Sequence, residues 1–169
     1  MKKEFDTTSE SADFETISEE DENNVHLANV IDPNITDDAV SDAKLLRKIN
    51  NLKINNRTDA CFTQIWFKDC HLQAVSQCTS LISLEIYDCI NLHGKLDFLK
   101  NLTNLQTLIL PFCSLQNDDI SIIQYLPNLT ELDLHQNFLL TKDLEQYILI
   151  HPTLARYSLK YNNFISVEK

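Results

Sequence analysis

From residue 81 onward the apolar positions recur in a fixed figure. Leu81-x-x-Leu84-x-Ile86-x-x-Cys89 is followed by Leu105-x-x-Leu108-x-Leu110-x-x-Cys113. Leu129-x-x-Leu132-x-Leu134-x-x-Asn137 and Leu154-x-x-Tyr157-x-Leu159-x-x-Asn162 complete the series, with first leucines 24, 24 and 25 residues apart. A further copy, Phe62-x-x-Ile65-x-Phe67-x-x-Cys70, starts 19 residues before Leu81, and Ile49-x-x-Leu52-x-Ile54 reads as a degenerate first strand ahead of it. Within each copy apolar and polar residues alternate, which is strand periodicity. Past the ninth position the spacing turns helical. Ile120, Ile123 and Leu126 follow Asp118-Asp119, acids that suit a helix N-terminus. Leu144 and Ile148 follow a capping Thr141, and Leu96, Leu99 and Leu102 precede Leu105. One such strand-and-helix unit buries too little apolar surface to order itself, so the units must stack on one another.

These segments resemble the leucine-rich-repeat family, whose signature is L-x-x-L-x-L-x-x-N/C. The match covers roughly residues 60–163 and is tightest in LPNLTELDLHQN, residues 126–137. The resemblance implies an α/β solenoid, with a curved parallel sheet on the concave face and helices or 3₁₀ turns on the convex face. It also implies that the ninth side chains, Cys70, Cys89, Cys113, Asn137 and Asn162, point inward and bond backbone groups in the turn beneath. Cys61 and Cys78 fall outside that ladder and read as small buried residues.

The ends need covers. Thr36-Asp37-Asp38 followed by Ala39, Val40, Ala43, Leu46 and Ile49 predicts a capped amphipathic helix over 37–50. The chain thus divides into an acidic arm (1–36), a capping helix with the degenerate strand (37–58) and the repeat domain (59–169). At the far end Leu154, Tyr157, Leu159 and Phe164 are left poorly covered, and a bare edge strand invites pairing. The tail folding back, self-association of the chain, or a partner would each satisfy that edge.

Charge separates the two parts. Residues 1–44 hold 13 Asp/Glu against three Lys, while the remainder is almost neutral. The arm's few apolar residues, Phe5, Phe14 and Ile17, cannot offset the entropy of ordering it, so disorder is expected. An acidic chain has no footprint for nucleic-acid phosphates. Met1-Lys2-Lys3 is not followed by an apolar stretch, and the apolar runs are too short to span a bilayer. Four Asn-x-Ser/Thr sequons, at Asn34, Asn56, Asn101 and Asn128, therefore read as accidents of composition. The expected compartment is the cytoplasm, or a host cell's cytoplasm for an injected bacterial effector; the nucleus also fits the acidic arm. Five cysteines without a C-x-x-C pair argue against a disulfide framework or a zinc knuckle.

In the resembling family the x residues of x-L-x-L-x face outward from the concave sheet. This gives the columns Gln64, Ser83, Thr107, Glu131, Arg156; then Trp66, Glu85, Ile109, Asp133, Ser158; then Lys68, Tyr87, Pro111, His135, Lys160. Asp69, Asp88, Phe112, Gln136 and Tyr161 lie at the rim. Trp66, Tyr87, Ile109, Phe112 and Tyr161 are large groups where the core needs none, and Trp, Tyr and Arg dominate protein interfaces. Glu85, Glu131 and Asp133 supply carboxylates for a partner's Lys or Arg. The candidate protein-binding residues are thus Trp66, Lys68, Glu85, Tyr87, Ile109, Phe112, Glu131, Asp133, His135, Arg156 and Lys160. An enzyme is not expected. Cys113 should point inward, away from Asp133 and His135, and a single glycine, Gly94, excludes a glycine-rich phosphate loop. No cofactor or metal is implied. Two alternatives stand beside a protein-recognition module. One is a substrate-binding adaptor of a larger complex such as a ubiquitin ligase. The other is an acidic chaperone or inhibitor of basic proteins, resembling acidic nuclear leucine-rich-repeat proteins.

Overall fold

The computed structural model describes residues 26–28 and 38–162. The acidic arm therefore lies outside the described residues except for a short strand, and so do Thr36, Asp37 and Phe164. The strands are β1 (His26–Ala28), β2 (Asp59–Thr63), β3 (Ser83–Tyr87), β4 (Thr107–Ile109), β5 (Glu131–Asp133) and β6 (Arg156–Ser158). They pair side by side in chain order, all parallel. Between strands the chain returns through α1 (Asp38–Ile54), α2 (Asp69–Val75), α3 (Asn117–Ile120) and α4 (Glu145–Leu149). Leu96–Asn101, Ser121–Tyr125 and Lys142–Leu144 are 3₁₀ turns doing the same work. The result is a solenoid-like α/β arrangement, with one sheet backed by a single layer of helices and turns. The His26–Ala28 strand adds to the β2 edge from within the segment expected to be a disordered arm.

Register repeats with the sequence period. Asp59 lies opposite Ser83, Ser83 opposite Thr107, Thr107 opposite Glu131 and Glu131 opposite Arg156, steps of 24, 24, 24 and 25 residues. Leu84 and Ile86, Leu108 and Leu110, and Leu132 and Leu134 are buried beneath the sheet. Each contributes about 1.5–3 kcal/mol by leaving water. The period-two alternation therefore sends one face of every strand into the core and leaves the other half-exposed.

The first coil departs from expectation. The 24-residue period holds there too, so Ala60 and Phe62 occupy the places of Leu84 and Ile86, and Ile65 takes the ninth position. The predicted strand around Phe62–Cys70 was thus out of register by five residues. Trp66 and Lys68 lie beyond β2 instead of on it, and Cys70 is exposed in α2, outside the ladder. Phe67 is buried, edge-on to Phe62 with ring centres 5.4 Å apart, so it fills the turn below the sheet. Ile49, Leu52 and Ile54 form no strand either. They close α1, where Leu45, Ile49 and Leu52 are buried at helical spacing and Ile54 is 73 % exposed. The helix runs four residues past its expected end. Its buried face differs from the predicted one, with Ala43 exposed and Leu46 half-buried.

One backbone feature recurs with the coils. Gln64, Asp88, Phe112, Gln136 and Tyr161 all have positive φ, between 53° and 60°. Each sits just past its strand, before the ninth position, and bends the chain from the sheet into the turn. Their amides carry the ladder one step further: Gln64 N–H donates to the Tyr87 carbonyl (2.9 Å), and Gln136 N–H to that of Lys160 (3.0 Å). A non-glycine residue accepts this left-handed conformation only at a cost of about 1–2 kcal/mol, so the corner is held by its neighbours.

The ninth-position ladder comprises Cys89, Cys113, Asn137 and Asn162. The Cys89 sulfur accepts the Ile65 N–H at 3.2 Å. The Asn137 Oδ1 accepts from Cys113 N–H (3.0 Å) and Leu115 N–H (3.1 Å), while its Nδ2 donates to the Leu110 (2.7 Å) and Leu134 (3.1 Å) carbonyls. Asn162 Nδ2 donates to the carbonyls of Leu134 and Leu159, both at 3.0 Å. A second polar ladder, not anticipated from sequence, runs ahead of the strands. Asn104 Nδ2 donates to the Thr79 carbonyl (3.0 Å) and Asn128 Nδ2 to that of Thr103 (2.8 Å), so each side chain ties its coil to the one before.

At the N-terminal side α1 packs on α2, and Asp42 of α1 pairs with Lys68 at the start of α2. Buried His71 accepts the Lys68 N–H through Nδ1 (3.1 Å) and faces Asp42 Oδ1 through Nε2 at 3.6 Å. Burial lowers its pKa against the opposing pull of Asp42. At the other end Tyr157 is 52 % exposed where its counterpart Leu132 is 1 % exposed. Leu154 and Leu159 are only partly buried there.

Candidate functional site

The outward face of the sheet is set by the observed register. Its paired columns are Asp59, Ser83, Thr107, Glu131, Arg156 and Cys61, Glu85, Ile109, Asp133, Ser158; Thr63, Tyr87, His135 and Lys160 follow two residues on, while Pro111, expected beside them, is buried. Nine of the eleven residues expected on this surface thus lie on it or at its rim: Glu85, Tyr87, Ile109, Phe112, Glu131, Asp133, His135, Arg156 and Lys160. Trp66 and Lys68 do not. Lys68 belongs to the α1–α2 contact. Trp66, 60 % exposed, lies two residues past the corner, in the coil position that Ile90 and Phe138 hold further along. Asp69, expected at the rim, opens α2, and Gln64 takes the rim position instead.

Polar groups on the face are paired along and between strands. Tyr87 Oη donates to Glu85 Oε2 at 2.9 Å, both from β3. Burial, and then this hydrogen bond to a carboxylate, push the Tyr87 phenol well above its ordinary value of 10; Asp133 adds to the effect through its charge. On β5, Asp133 Oδ1 accepts the His135 N–H (3.0 Å) and lies 2.9 Å from His135 Nδ1. Arg156 of β6 donates to Glu131 Oε2 of β5 at 2.8 Å. At the rim Gln64 Nε2 donates to Asp88 Oδ2 at 3.1 Å. Cys61, half-buried beside Glu85, is held protonated by burial first and by that carboxylate second.

Between the carboxylates of β3 and β5, β4 presents the half-buried Ile109, and Phe112 follows beyond the strand with Pro111 buried between them. Phe112 meets the His135 ring edge-on at 6.1 Å and the Phe138 ring at 6.5 Å. Phe112 is 39 % and Phe138 53 % exposed, so this aromatic cluster borders the face without being covered by it. Phe138 was missed by sequence reasoning because it follows the ninth position, outside the x-L-x-L-x frame. The available signal was its register with Trp66 and Ile90, at multiples of 24 residues.

Burial disfavours the thiolate form at the ladder cysteines. Burial pushes Cys89 up to about 11 and Cys113 up to about 12, and all five cysteines are unpaired. Among the described residues no helix is long and apolar enough to cross a membrane. No protein-family model matches the chain, and no curated protein matches it.

Proposed function

We propose that this chain is a leucine-rich-repeat protein that binds another protein on the outward face of its sheet, the counterpart of that family's concave face. The repeat reading is supported by the constant 24-residue register, by the inward Cys and Asn ladder and by the positive-φ corner in every coil. The observation that carries the binding reading is the open apolar strip Ile109–Phe112–Phe138. Ile109 sits between Glu85 and Asp133, and the exposed Phe112 and Phe138 border the face where the core requires no apolar group. Exposed aromatic groups of this kind supply most of the binding energy at protein interfaces.

Partner capture with the full chain tests this. Wild type is compared with Tyr87→Ala/Ile109→Ser and with Trp66→Ala. Partners held by wild type and by Trp66→Ala but lost by the double variant support the outward face. Equal retention by all three removes the face from consideration.

A further inference from the structure

We infer that the outward face takes a partner segment bearing a Lys or Arg beside an apolar side chain, its cation lodged between Glu85 and Asp133 and its apolar group on Ile109. This rests on the binding reading above and adds the partner's chemistry. Register places Glu85 directly opposite Ile109, and Ile109 directly opposite Asp133. The two carboxylates therefore flank one isoleucine across two strand spacings, about 10 Å apart. Ile109, half-buried at the end of β4, is the apolar floor between them. Both acids are half-buried, so a cation placed between them is screened less than at an open surface. Their internal hydrogen bonds use a single oxygen each, Oε2 of Glu85 and Oδ1 of Asp133. An ionised carboxylate accepts at both oxygens, which leaves each acid able to take a further donor.

The other charges of the face reinforce the choice. Glu131 is engaged by Arg156, and Lys160 follows two residues past β6, so the basic groups gather at the β6 edge. The outward residues of β3–β5 include three carboxylates, Glu85, Glu131 and Asp133, and no Lys or Arg. A guanidinium or ammonium group with an aliphatic stem matches both parts of the site, since such side chains lay their methylenes on apolar surface while the head stays polar. An acidic segment would meet repulsion on either side of Ile109.

The test uses the full chain with isotope-labelled amides and two short peptides, an Arg-Leu-Ser repeat and its Gln-Leu-Ser counterpart. The Arg peptide should move the Glu85, Ile109 and Asp133 resonances. Glu85→Gln/Asp133→Asn should weaken it by about five- to tenfold, the effect of two partly exposed ion pairs. Gln and Asn keep the shape of the site and can still accept from Tyr87 and His135. Three results overturn the inference: equal binding of the Gln peptide, equal binding by the double variant, or Arg-peptide shifts confined to residues before Asp38. None of these touches the reading of the face itself, which is judged by the loss of captured partner in Tyr87→Ala/Ile109→Ser.

Discussion

Replacing Asn137 with alanine removes the side chain with the most hydrogen bonds among the described residues. The residue is fully buried. Its Oδ1 is the acceptor for two buried backbone donors, Cys113 N–H and Leu115 N–H, and its Nδ2 serves the carbonyls of Leu110 and Leu134. Each orphaned buried donor costs about 1–3 kcal/mol, and the lost amide also leaves a void. Asn137→Ala should therefore destabilise by roughly 3–5 kcal/mol, a large share of the 5–15 kcal/mol available to a typical domain. Asn137→Cys is the informative companion. In the preceding coils Cys89 and Cys113 hold this position, and the Cys89 sulfur accepts a backbone N–H at 3.2 Å. Cysteine should therefore recover part of the loss and cost about 1–2 kcal/mol, the price of weaker bonds instead of absent ones. Urea unfolding followed by circular dichroism gives both values. Amide exchange at Cys113 and Leu115 localises the damage. A cost under about 1 kcal/mol for alanine, or a cysteine variant as unstable as alanine, would refute the claim that this ladder holds the coils.

The corner, the end and the thiols give further expectations. Gln136→Val, β-branched at a φ of 57°, should cost about 1–2 kcal/mol, whereas Gln136→Gly should be near neutral; thermal melts distinguish them. Leu132→Ala should lose about 2–5 kcal/mol and Tyr157→Ala under about 1 kcal/mol, although both occupy the same place in their coils. Alkylation under native conditions should modify exposed Cys70 first and leave Cys89 and Cys113 untouched until unfolding. Because folding raises both buried thiols from an ordinary value of 9, their contribution is fully present below pH 9. It is lost between pH 9 and about 11 for Cys89 and between pH 9 and about 12 for Cys113, by about 1.4 kcal/mol per pH unit for each thiol. Urea titrations at pH 8 and above 10 follow that fall, and flat stability would contradict it.

The parts of the fold legible in the sequence are those where physics repeats. Leu84, Leu108 and Leu132 must each be apolar because each sits beneath the sheet, and the helical spacing of Ile120, Ile123 and Leu126 follows from covering the same core. The first coil was not legible for an equally physical reason. At the positions equivalent to Leu81 and Leu84 it carries Arg57 and Ala60, while Phe62, Ile65 and Phe67 lie close enough together to imitate the motif five residues out of phase. Hydrophobic matching cannot tell a buried strand residue from a buried turn residue, and Phe67 is the latter. The misreading carried Trp66 and Lys68 onto the face, and Cys70 into the ladder. The corners were also hidden. Gln, Asp, Phe, Gln and Tyr share no chemistry that announces a positive φ, and only the stacked backbone enforces it. The outward positions from β3 to β6 were legible in the sequence except Pro111, which is buried. Their pairings, Tyr87 with Glu85 and Arg156 with Glu131, depend on side-chain geometry that spacing does not encode.

The central claim is that the outward face over β3–β5 receives a protein partner, and Ile109 lies at its middle. With methyl-labelled isoleucine in the full chain, addition of a captured partner should shift the Ile109 resonance. The resonance of Ile54, exposed at the end of α1 and not among the outward residues of β3–β5, should stay unmoved. Movement of Ile54 with Ile109 unchanged would contradict the account.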